Sequence, residues 1–268
     1  MFGPGEVKAG EFFRNMSIGG ISQGFRDSQT VNFVNPASYT VTDSLSFIFD
    51  ATVFYHLYQQ KVTEPEQEQL SSYSSPGSLA FSFPVYRWWS VAAGFMPYSQ
   101  KGYQITDLQS DDTNGTINYL YEGSGGINRI FLGNGFRIFK GLSVGVNFSY
   151  LFGQSEDLLM SSSDSTGFFR TAWSYSDNTD GLLIDYGMQW EIPLREKQKL
   201  TFGATYTQSS DVQLKQNKSI LRDLPGETFI QDTLRFEGGD KGNMYLPDAL
   251  GAGVFMQFNS HWGAGVDF

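Results

Sequence analysis

The chain has no cysteine, only two histidines and no apolar run long enough to form a membrane-spanning helix, and each absence removes a class of protein. Without cysteine there is no disulfide scaffold and no thiol chemistry, a composition that suits an oxidising compartment. A spanning helix needs about 20 consecutive apolar residues, and none is present. Residues 1–10 lack both a basic and an apolar region, so no secretory signal is visible; the expectation is that it has been removed or that the protein is not exported. The formal charge of -10 argues against a nucleic-acid partner, whose phosphates call for basic side chains.

What the chain does have is 24 phenylalanines, 14 tyrosines and 30 glycines, with the apolar residues arranged in alternation. Leu45, Phe47, Phe49, Ala51, Val53, Tyr55 and Leu57 occupy every second position, against a mixed set in between. Period two of this kind specifies a strand with one apolar face. The pattern returns at residues 79–85, 89–95, 142–152, 182–192, 200–206 and 252–258, and begins again at Trp262. Between these segments, polar excursions at residues 59–75, 110–115, 153–167 and 208–245 alternate with tight turns at 86–88, 140–141, 193–199 and 259–261. Long loops at one end and short turns at the other are the signature of a transmembrane β-barrel, whose wall faces lipid with half of each strand. Trp88, Trp89 and Trp262 lie beside the short turns, where an interfacial aromatic belt belongs. The fold expected is therefore all-β, an antiparallel transmembrane β-barrel in a bacterial outer membrane. About nine crossings are readable, an odd number, which predicts an incomplete barrel with strands missing after Phe268.

Little in the sequence points to catalysis. His56 shares a face with Asp50 and Thr52, but the only other histidine is His261 in a turn, and no nucleophile accompanies either. Neither enzyme activity nor a cofactor is expected. No metal site is expected either, because residues 111–115 lack the spaced carboxylates of a calcium loop. Ile48, Asp50, Phe54 and His56 lie on the inward face of the first strand and are candidates to line the lumen. Gly123, Gly125 and Gly126 are candidates for a strand kink.

The glycine lead-in at Gly19-Gly20, the Asn35-Pro36-Ala37 tripeptide and its direct passage into a long first strand resemble the FadL/TodX-type outer-membrane transporters. Arg26-Asp27, Asp43-Ser44-Leu45, Met96-Pro97-Tyr98-Ser99, Ser124-Gly125-Gly126 and Leu246-Pro247 are similar to the Bacteroidota branch of that family. The resemblance implies a fourteen-stranded barrel, with residues 1–42 as a lumenal hatch carrying Asn35, Pro36 and Ala37, and residues 43–268 as barrel wall. It also implies passive uptake of small hydrophobic compounds such as long-chain fatty acids. The alternative is a non-transporting structural or shuttle barrel in a larger outer-membrane secretion or assembly complex. The partners expected are membrane lipid or detergent, a small hydrophobic ligand and outer-membrane proteins.

Overall fold

The structure is a computed structural model that describes every residue except 1–2, 4, 9–11, 43–45, 64–65, 112–114, 164–168, 196–197, 224–230 and 260. Leu45 and the turn at 112–114 thus lie outside the described residues. The expected β-strands are there. After a two-residue strand β1 (Glu6–Val7), a short helix α1 (Phe13–Ser17) and a 3₁₀ segment (Pro36–Val41), the chain is almost entirely β. The strands are β2 (Ile48–Thr63), β3 (Glu66–Tyr86), β4 (Trp89–Asp111), β5 (Gly115–Phe139), β6 (Leu142–Ser163) and β7 (Thr171–Arg195). They are followed by β8 (Gln198–Thr207), β9 (Ser210–Asp223), β10 (Gln231–Leu246), β11 (Ala249–Gln257) and β12 (Gly263–Asp267).

All of them belong to one antiparallel sheet, in the order β2-β3-β4-β5-β6-β7-β8-β11-β12. The hairpin β9–β10 continues the line of β8 and β11: β7 pairs with β8 over residues 185–195 and with β9 over residues 171–180. Among the described residues no ladder joins β2 to β12. The closed fourteen-stranded barrel implied by the resemblance is not what the structure shows; the sheet is open.

Its two faces differ as the alternation predicts. Phe49, Val53, Tyr55, Leu132, Met188 and Trp190 all stand exposed on the outer face. The inner face is polar or small, with Ser82, Ser143, Asn147, Ser149, Gln189 and Thr201 buried there. At the short-turn end, the rings of Tyr86, Trp88, Trp89 and Phe136 stack along the sheet with centroids 6.0 to 6.3 Å apart.

The polar excursions are a correction. Residues 59–63 and 66–75 are not a solvated loop but the ends of β2 and β3, paired from Gln59↔Leu70 to Thr63↔Glu66. The polar run at residues 177–181, whose Asn and Gly suit a turn, is the interior of a single strand, β7, of 25 residues. Residues 208–245 are mostly the β9–β10 ladder. In these extensions polar residues occupy both alternating sets of positions, so hydrophobic periodicity vanishes while main-chain pairing continues. At about 3.3 Å per residue, the 25 residues of β5 span roughly 80 Å. That is more than twice the ~30 Å hydrocarbon core of a bilayer.

Most of residues 12–42 lie against the inner face. Phe12, Val31, Phe33 and Tyr39 of this segment form one buried cluster with Ile48 of β2, Ala80 of β3, Ala92 and Met96 of β4, and Phe131 of β5. Burial of each large side chain contributes about 1.5–3 kcal/mol, enough to hold an otherwise irregular segment in place. A smaller cluster of Ile127, Leu151 and Val212 lies farther along the sheet.

Candidate functional site

The Asn35-Pro36-Ala37 tripeptide sits where the sheet has been stripped of side chains. Gly135, Gly145 and Gly187 are direct cross-strand neighbours on β5, β6 and β7, forming a row across three strands. A methyl group at Gly145 would fall 2.6 Å from the Ala37 nitrogen, and one at Gly187 would fall 2.7 Å from Pro36 Cδ. The row is therefore a seat that main chain alone leaves open. Asn35 locks the segment into it. Its Oδ1 accepts from the Ala37 N–H at 3.2 Å, while its Nδ2 donates to the carbonyls of Gln23 at 2.8 Å and Met188 at 3.1 Å. Pro36 at the first helical position has no N–H to leave unpaired, which suits it to begin the 3₁₀ segment.

Asn35→Ala removes a cap and two further hydrogen bonds, to the Met188 carbonyl and to a Gln23 carbonyl that keeps Gln189 as a donor, each a loss of about 1–2 kcal/mol. An unfolding free energy lower by about 2–4 kcal/mol is expected, read from urea titration in detergent. A change below about 0.5 kcal/mol would show that the side chain does not anchor the segment.

Further polar contacts tie the segment to the wall. Tyr39 donates its hydroxyl to Asn147 Oδ1 at 3.0 Å, and Asn147 Nδ2 donates to the Phe33 carbonyl at 2.9 Å. Burial pushes the Tyr39 phenol above its ordinary range, so it stays a neutral donor. Gln189 Nε2 donates to the Gln23 and Phe25 carbonyls. The amides of Ser22 and Gln23 both donate to Asp267 Oδ2 on β12, at 2.6 and 2.9 Å. Arg26 reaches Thr40 Oγ1 at 2.8 Å, and Arg137 donates to the Thr40 carbonyl.

Two ion pairs cross the inner face. Arg129 on β5 lies 3.9 Å from Asp185 on β7, with its guanidinium 4.9 Å from the Phe33 ring centre and 4.8 Å from that of Tyr98. Thr207 donates to the other Asp185 oxygen at 2.7 Å. Farther along, Lys101 on β4 donates to Asp157 on β6 at 2.6 Å, and Tyr103 donates to the same carboxylate at 2.8 Å. Neither pair was singled out from the sequence. The signal that would find them is a charge at an inward position of an alternating strand.

The candidate lining residues divide. Ile48 is buried in the core cluster, and Asp50 is half-buried with a hydrogen bond from the Val31 main chain, so both pack against the N-terminal segment. Phe54 and His56 continue up β2 as a stack with Tyr58, at spacings of 6.0 and 5.9 Å. His56 and Tyr58 line a cleft of about 1010 Å³, together with Glu6, Lys101, Tyr103 and Glu122. Just after β1, Lys8 donates to Glu6 at 2.8 Å, and this bond holds the Glu6 carboxyl below its ordinary range. Gly123 and Gly125 form the cleft floor. Gly125 and Gly126 have φ of +96° and +156°, yet β5 stays paired at both positions with β4 and with β6. The glycines therefore do not open the wall. Among the described residues no cluster of His, Asp and Glu could hold a metal ion.

The family model described as BamG matches residues 1–268, the whole of the chain. No curated protein matches. The match overturns the resemblance to the FadL/TodX transporters, and with it the reading of passive uptake of hydrophobic compounds.

Proposed function

The chain belongs to the BamG family, and on that footing we propose that it is a structural component of the outer-membrane assembly machinery. In this reading it carries no catalytic activity, needs no cofactor and resides in the outer membrane. The family's link to that machinery supports the partners and the place. The observation that carries the reading is the contrast between the faces of the sheet. One presents Phe49, Val53, Leu132, Met188 and Trp190 outward, and the other is filled by residues 12–42. An exposed apolar wall of this extent suits acyl chains, since soluble proteins rarely carry apolar patches above a few hundred Å². The filled inner face suits a scaffold. The long polar strand extensions would stand beyond the bilayer as surfaces for partner proteins.

Tagged protein purified from its native outer membrane in mild detergent is expected to bring down subunits of the assembly machinery in near-equal amounts. Its depletion is expected to lower the levels of other outer-membrane β-proteins. Purification of the chain alone, with those levels unchanged, would sink the reading.

A further inference from the structure

The wall is split between β3 and β4. Their ladder runs from Tyr86↔Trp89 to Leu79↔Phe95, and among the described residues no pair joins the two strands beyond that point. Continued in the same register, Gly77 would face Pro97, and Pro76 would follow. Proline has no N–H to give a ladder, so the sequence itself ends the pairing there. Beyond the split β3 follows β2, from Val53↔Pro76 to Thr63↔Glu66, whereas β4 follows β5 as far as Asp111↔Gly115. The cleft lined by His56, Tyr58 and Tyr103 occupies the gap.

Among the described residues the chain fills only the first step of this gap, with its own β1. Glu6 pairs with Gln100 and Val7 with Ser99, and the Lys8 N–H donates to the Tyr98 carbonyl at 2.9 Å. At Gly5 the main chain turns to φ +90°. The Tyr98 carbonyl points toward β1, so alternation directs the main-chain groups of Gly102, Gln104, Thr106 and Leu108 to the same edge. None of these four has a ladder partner on that side among the described residues.

We infer that the β4 edge at residues 102–108 is a strand-acceptor site, which takes an extended segment of a partner protein in line with β1. The partner being a subunit of the assembly machinery rests on the function proposed above. Strand addition to an open edge draws affinity from main-chain hydrogen bonds and specificity from alternate side chains. The chemistry of the cleft says which side chains. Of its charges, Glu6 is matched by Lys8 and Lys101 by Asp157, which leaves Glu122 to disfavour an acidic segment, while the His56–Tyr58 stack and Tyr103 offer ring surfaces. The segment it fits has aromatic residues at alternate positions and little charge. β1 is the intramolecular precedent, occupying the same edge one step before residues 102–108.

The absence of cysteine makes the test direct. Gln104→Cys and, separately, Thr106→Cys carry a thiol-linked benzophenone in the full chain, irradiated in the native outer membrane. The expected result is an adduct to one partner protein, with attachment points two residues apart in that partner's sequence. Gly102→Pro with Leu108→Pro removes two edge donors while the probes stay in place, and is expected to reduce the adduct at least tenfold; Gly102→Ser, which keeps the donor, leaves it unchanged. Adducts only to lipid or to a second copy of the chain overturn the inference. So does the lack of any protein adduct while assembly subunits still co-purify, which leaves the proposed function standing. Failure of co-purification counts against the function instead. The mapping on the unsubstituted edge decides the matter even if the proline variant does not fold.

Discussion

Asp185→Leu is expected to lower the unfolding free energy by about 3–5 kcal/mol, among the largest losses a single change in this chain should produce. The carboxylate is the counter-charge of Arg129, which is buried between the rings of Phe33 and Tyr98. Removing it leaves a guanidinium away from water with aromatic faces as its main compensation, and these supply about 0.5–2 kcal/mol. The loss should not come from the pair's net value, because a buried ion pair replaced whole by apolar residues is often neutral. Arg129→Met added to Asp185→Leu is therefore expected to restore most of the stability. Urea unfolding in detergent, followed by tryptophan fluorescence, measures all three. A single variant within about 1 kcal/mol of the parent would mean that Arg129 reaches water on the inner face.

Gly145→Leu is expected to eject the N-terminal segment from the inner face. The added side chain would enter the space of the Pro36 and Ala37 main chain, which has no rotamer to yield. Overpacking of this kind costs about 1–3 kcal/mol where neighbours shift, and more where they cannot. Arg26, half-buried beside Thr40 and Ser143, should then become a trypsin site, with cleavage at least tenfold faster than in the parent. Gly242→Leu is the control, since an added carbon there meets nothing within 4 Å. Equal cleavage rates in all three proteins would show that the glycine row is not the seat.

The part of the fold governed by burial on one face was legible in the sequence. Alternation at residues 47–57, 142–152 and 182–192 located the outer face, because each outward Phe, Leu or Val differs sharply from the Ser, Gly or Asn beside it. The extensions were not legible. Ser71, Ser72, Gln109 and Ser110 give a pattern reader nothing to alternate, although their main chain pairs as well as any. The split between β3 and β4 was written in Pro76, Gly77 and Pro97, but it becomes readable only once the register brings them opposite one another.

The transporter resemblance failed for a related reason. A glycine lead-in and an Asn-Pro-Ala tripeptide running into a long strand describe how a terminal segment is housed against a sheet. In the structure Asn35 lies among Gln23, Ala37 and Met188, a placement that says nothing about what passes or docks. A packing motif of this kind reports architecture, and function must be read from other residues.

The bonds from Ser22 and Gln23 to Asp267 have a temporal consequence. Every strand from β2 onward neighbours a hairpin partner close in sequence, so the wall can zip up strand by strand. The glycine row, however, exists only after β5, β6 and β7 are side by side, and the Asp267 acceptor only once β12 has joined β11. Residues 12–42, which precede all these strands in the chain, therefore dock after them and must be kept from aggregating until their berth is built.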